Sequence, residues 1–173
     1  MARLSIRSVR YEGKNWVYQS PPLSDGLQIL IGDNGAGKTT FSNLLYFGLG
    51  GKVAIFDRNA KKKHSEIVSD ENNSVLVQIE LAGGIFQIKR FFGAKDILVT
   101  GADGQVEIFP VNRSPDKPYI FSDWLLEKFD ITAVKLHSGT YSGKINFKDL
   151  MRLIYHDQAL DPSSIYKLSL IHI

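Results

Sequence analysis

The chain has no cysteine, which excludes a disulfide framework and any thiolate-bound zinc centre. Its four histidines are scattered, with no i,i+4 pair and no metal-ligand spacing, so no histidine-based metal site is expected. Long apolar runs are also missing. No segment approaches the ~20 residues of a membrane span, and Met1-Ala2-Arg3-Leu4-Ser5 lacks the apolar stretch of a secretory leader. No membrane partner and a reducing, cytoplasmic setting are therefore expected. Neither sign of charge dominates. The 21 Lys and Arg against 18 Asp and Glu leave +3, which permits a nucleic-acid partner without arguing for one. Internal repeats and low-complexity tracts are absent. What remains is a chain of about one domain's length, with 43% hydrophobic residues to build a core.

The most specific feature present is Gly32-Asp33-Asn34-Gly35-Ala36-Gly37-Lys38-Thr39-Thr40, which matches G-x-x-x-x-G-K-[ST], the phosphate-binding loop of nucleoside triphosphatases. Glycines let the backbone curl and approach an anion without Cβ clashes. The curled N–H groups form an anion nest, and the helix that follows turns its positive end to the same point. Lys38 is placed to reach the β- and γ-phosphates of ATP, and the Thr39 hydroxyl to ligate Mg²⁺. The context agrees. Leu27 to Ile31 reads as a short buried strand before the loop, and Phe41, Leu44 and Leu45 recur at helical spacing after it. Gly48, Gly50 and Gly51 then stop the helix.

Elsewhere, Leu4, Ile6 and Val9 with Arg3, Arg7 and Arg10 suggest a first strand with a basic face, and Trp16-Val17-Tyr18 a second. Residues 57–74 are polar and read as a surface loop containing Lys61, Lys62 and Lys63. Val75, Val77, Ile79 and Leu81 alternate with Leu76, Gln78 and Glu80. Gly83-Gly84 then signals a hairpin into Ile85–Phe92, and Asp103-Gly104 another between 96–100 and 105–109. An antiparallel patch of about four strands follows the loop's helix. Ser122 is the expected N-cap of a short helix over 123–129, and Asn146 of one holding Leu150, Leu153 and Ile154, with Asp149 at the capping-box position.

A hydrolase of this class also needs an acidic residue at the end of a second apolar strand. None stands out: Glu80 lies in an alternating strand, and Ser122 interrupts the run before Asp123. The ending Leu168-Ser169-Leu170-Ile171-His172-Ile173 reads as the translation of a transposon end used in preparing sequencing libraries. Residues 168–173 are thus expected to be a non-native tail. Residues 1–167 are then expected to form the N-terminal lobe of a longer protein.

The loop near the N-terminus, with Asn34-Gly35 before Gly37-Lys38, resembles that of the Rad50/SMC/RecF-type ATPase heads, DNA-repair and chromosome-maintenance relatives of the ABC ATPases. Leu150 to Gln158 is similar to the helix that leads into the family's Q-loop, with Gln158 in the glutamine position. Gln158 lies 120 residues after Lys38, far more than in transporter subunits. The resemblance implies an α/β P-loop fold of ABC-head type, with a mixed central sheet and an antiparallel β-subdomain at its side. It also implies that Lys38 and residues 32–40 hold ATP, and that Thr39 and Gln158 coordinate Mg²⁺. Lys38 and Gln158 would take part in catalysis. Two heads would sandwich ATP in a homodimer and clamp DNA in repair, chromosome maintenance or defence against foreign DNA, with a nuclease or other effector as partner. Arg10 is a candidate for touching the base or ribose, and Tyr11, Trp16 and Tyr18 for stacking on it. Three alternatives stand beside this reading: a transporter ATPase subunit, a nucleotide-binding fragment without turnover, and a small P-loop kinase or GTPase. The last lacks the Asn-Lys-x-Asp of guanine recognition.

Overall fold

Period-two alternation builds the centre of the molecule. In the computed structural model, which describes residues 3–59, 63–132, 135–138 and 141–154, Val75, Val77, Ile79 and Leu81 of β3 (Ser74–Leu81) are all fully buried. Burial of such a side chain stabilises by about 1.5–3 kcal/mol. β3 pairs with β4 (Gly84–Phe91) in the register Val77↔Ile88 and Ile79↔Phe86, so the two apolar rows share one face. β5 (Asp96–Thr100) and β6 (Val106–Pro110) extend this side, while β1 (Leu4–Glu12) and β2 (Val17–Gln19) flank the other. The sheet order is β2-β1-β3-β4-β5-β6, antiparallel throughout.

β1 solves a phasing problem. Leu4, Ile6, Val9 and Tyr11 break strict alternation by one residue, yet Ile6 pairs with Ile79 and Val9 with Val77 on the core side. A bulge between Ile6 and Ser8 absorbs the extra residue. It leaves Arg7 on the outer face, where it meets Glu80 and, at 3.1 Å, Asp25. The basic face expected of β1 is thus neutralised locally: Arg3 also pairs with Asp25, and Arg10 with Glu12. Lys89 approaches Glu12 at 2.8 Å, and that hydrogen bond holds the Glu12 carboxyl below its ordinary pKa.

The β3–β4 turn centres on Ala82 and Gly83, one residue earlier than Gly83-Gly84, and both have positive φ, 52° and 79°. That is the turn matching strand twist, but alanine in the left-handed region costs about 1 kcal/mol. Ala82→Gly is therefore expected to stabilise the fold by roughly 0.5–1 kcal/mol, measured as a higher urea midpoint. An unchanged or lower midpoint would show that the turn carries no strain.

Helices cover the inner face. α1 (Lys38–Gly48) lies over β1, β3 and β4, its Leu44 and Phe47 buried among them. Phe47 stacks on Phe92 with centroids 4.6 Å apart, and Phe56 packs edge-on to both. α2 (Phe121–Lys128) inserts Trp124 against Phe86 and Phe109. It begins one residue before Ser122, and the Asp123 carboxylate accepts from the Ile120 N–H. Ser122 does not cap it: its hydroxyl accepts from the Phe147 N–H at the start of α3 (Phe147–Ile154). At α3 the Asn146 N–H donates to the Asp149 carboxylate at 2.9 Å, the half of the expected capping box that Asp149 supplies. A two-stranded hairpin, β7 (Lys135–Ser138) and β8 (Tyr141–Lys144), precedes α3. The polar stretch 57–74 is anchored by buried Ile67, Val68 and Asn73.

The expectation of a mixed central sheet fails too. No mixed central sheet exists among the described residues, and Leu27 to Ile31 forms no strand. Leu27 and Ile31 are 85% and 87% exposed, Ile29 72% and Leu30 51%. A doubly apolar run needs strand neighbours and cover on both faces. Among the described residues Leu27–Ile31 has neither a strand neighbour in the antiparallel sheet nor cover over its side chains.

Candidate nucleotide-binding site

The loop at 32–37 is shaped by two residues that only glycine suits. Gly35 and Gly37 sit at φ 87° and 88° with open space around them, so backbone conformation rather than crowding demands glycine there. The turn closes through the Ala36 N–H to Asp33 O, 3.1 Å. Gly37 is the N-cap of α1, and the first intrahelical bond is Phe41 N–H to Gly37 O, 2.8 Å. The N–H groups of Lys38, Thr39 and Thr40 therefore precede the helical ladder and face outward from its positive end. No acidic residue in the first turn and no side-chain cap compete for them. Asp33, Asn34, Gly35 and Ala36 are exposed, as is Thr39.

Lys38 folds back across the loop. Its Nζ donates to Gly32 O at 2.6 Å and Asp33 O at 2.7 Å, bracing the start of the loop against the helix. The ammonium thus lies against the first residues of the loop, and an oxyanion bound there would gain both the charge and the N–H dipoles. This arrangement fits a phosphate chain. For a cation the fit is narrower: among the described residues no group of three His, Asp or Glu could hold a metal. A magnesium ion here would rest on the Thr39 hydroxyl and the nucleotide's own oxygens.

Other candidates are placed differently. Arg10 stands on the outer face of β1, 3.1 Å from Glu12, while α1 covers the inner face. Tyr11 is buried, edge-on to Phe92. Tyr18 is partly exposed and meets Phe41 of α1 edge-on at 6.5 Å, and Trp16 is exposed. Gln158 lies outside the described residues. The two acids considered for hydrolysis are otherwise engaged, Glu80 with Arg7 and Asp123 with Arg113 at 2.7 Å. A residue not anticipated is Arg90, whose guanidinium reaches the far end of α1. Its signal was available, since one charge interrupts the apolar stripe Phe86, Ile88, Arg90, Phe92.

An α/β fold with a glycine loop opening a helix, a lysine across that loop and an acid-free helix terminus defines a P-loop-like nucleotide-binding domain. The family described as an AAA domain matches residues 5–159, and the chain belongs to it. That membership makes it an AAA-type ATPase domain and implies nucleotide binding, usually with Mg²⁺. No curated protein and no solved structure matches the chain. No helix among the described residues is long and apolar enough to cross a membrane.

Proposed function

We propose that residues 32–40 bind Mg-ATP, and that residues 1–167 are the N-terminal lobe of an SMC-type head that works on DNA as an ATP-sandwiched homodimer. The observation that carries the reading is the braced loop: Lys38 bound to the Gly32 and Asp33 carbonyls of a loop that turns through two left-handed glycines into an uncapped, acid-free helix terminus. Lys38 and the loop N–H groups would hold the phosphates, and Thr39, with Gln158, the cation. Two further observations support a missing half. The exposed run Leu27–Ile31 is suited to a second sheet built with other polypeptide, and the two acids considered for hydrolysis are committed to arginines. For Arg10 to meet the nucleotide it would have to leave Glu12. Because the arginines of β1 are paired, DNA contact belongs in this reading to the assembled dimer, where a nuclease or other effector would also dock.

For the chain on its own, the reading is nucleotide binding without turnover. The expected result is saturable ATP binding with phosphate release at the no-enzyme background. Sustained hydrolysis at about 1 s⁻¹ or more, the ordinary range of enzymes, would mean that a catalytic acid lies within these residues.

A further inference from the structure

Arg90 is nine-tenths buried on the inner face of β4, yet no carboxylate pairs with it among the described residues. Its Nη1 donates to Phe47 O at 2.7 Å and Gly51 O at 2.8 Å. The guanidinium lies 3.9 Å from the centroid of the Phe47 ring, and its Nε is buried without a partner. Burial lowers its pKa to about 10, which leaves it charged at neutral pH. A buried cation with no counter-ion is costly, and an apolar side chain of similar volume would fill the same space more cheaply. Packing alone does not account for this residue.

Its position does. Phe47 is in the last turn of α1, and Gly51 follows the turn in which the Gly50 N–H bonds Phe47 O at 3.0 Å. Arg90 ties both sides of that exit together. α1 has no basic residue in its own last turn, so β4 supplies the cation for the helix's negative end. Eleven residues make α1 a rod of about 16 Å, so fixing one end fixes where the other presents Lys38 and Thr39. We infer that Arg90 is a positioning residue for the nucleotide site, clamping the exit of the phosphate-binding helix and so fixing where its opposite end presents Lys38 and Thr39. The inference rests on the ATP-binding reading given above.

The test compares wild type with Arg90→Met, Arg90→Gln and Arg90→Lys, measuring Mg-ATP affinity by calorimetry and folding by thermal melting. Arg90→Met and Arg90→Gln, which lose the clamp on α1, should bind about tenfold more weakly, with Arg90→Lys restoring affinity to within about threefold of wild type. A purely structural residue would lower the melting temperature of all three variants while leaving the affinity of the folded protein unchanged, and that result would overturn the inference. If Arg90→Met does not fold, the Lys–Gln pair carries the same comparison. Loss of folding in all three would also overturn it, because the role would then be structural. Wild type that binds no ATP would remove the ATP-binding reading itself, an outcome separate from folded variants that bind as wild type does.

Discussion

Replacing Lys38 by alanine is expected to weaken Mg-ATP binding at least about a hundredfold while leaving the fold intact. Each hydrogen bond from an ammonium to a phosphate oxygen contributes about 1.5–3 kcal/mol, and Lys38 stands where it can make two. Its present partners, the carbonyls of Gly32 and Asp33, belong to an exposed loop. Water replaces those contacts readily, so the stability change should stay within about 0.5 kcal/mol. The separation matters, because loss of binding with an unchanged melting curve assigns the effect to the site. Affinity within threefold of wild type would mean that the nest and helix terminus hold the phosphates without the lysine.

The second large effect concerns packing beneath the same helix. A Cβ added at Gly48 would lie 2.4 Å from Val77 Cγ2 and 3.3 Å from Val75 Cγ1. Both valines are fully buried on the central strand β3, held between β1 and β4, and have no room to retreat. Overpacking a core typically costs 1–3 kcal/mol, and a branched side chain at this point adds two more methyl groups to the clash. Gly48→Val should therefore destabilise by about 3 kcal/mol or more, a fall in melting temperature of roughly 6–12 °C for a domain of this size. Gly48→Ala should fall between, because alanine regains up to about 1 kcal/mol of helix propensity. A denaturation midpoint for Gly48→Val equal to wild type would show that α1 does not sit this close to β3.

These two residues mark what was legible in the sequence. The phosphate loop was readable because Gly35, Gly37 and Lys38 act locally: their spacing is their geometry. The β3–β4 hairpin was readable for the same reason, although its turn sits one residue early, on Ala82, whose positive φ no propensity favours. In the sequence Gly48 signals only a helix stop. Its closer role, letting the helix approach Val77, depends on a strand that begins 26 residues later. Local capping rules point Ser122 to the start of α2, but a tertiary partner, the Phe147 N–H, takes its hydroxyl. The run Leu27–Ile31 has the composition of a buried strand and stands exposed. Composition states what a segment needs, whereas pairing depends on which other strands are present. Arg90 combines both lessons, because its oddity is visible in the alternation of β4 while its target lies in a different element.

The central claim is that the loop at 32–40 holds a nucleoside triphosphate, and titration of the wild-type chain with Mg-ATP tests it most directly. One site per chain is expected. At an ATP concentration one hundred times Kd, binding should add about 2.7 kcal/mol to the stability and raise the melting temperature by roughly 5–10 °C, against at most about 1–2 °C in Lys38→Ala. Absence of both binding heat and a melting shift at millimolar Mg-ATP would contradict the account.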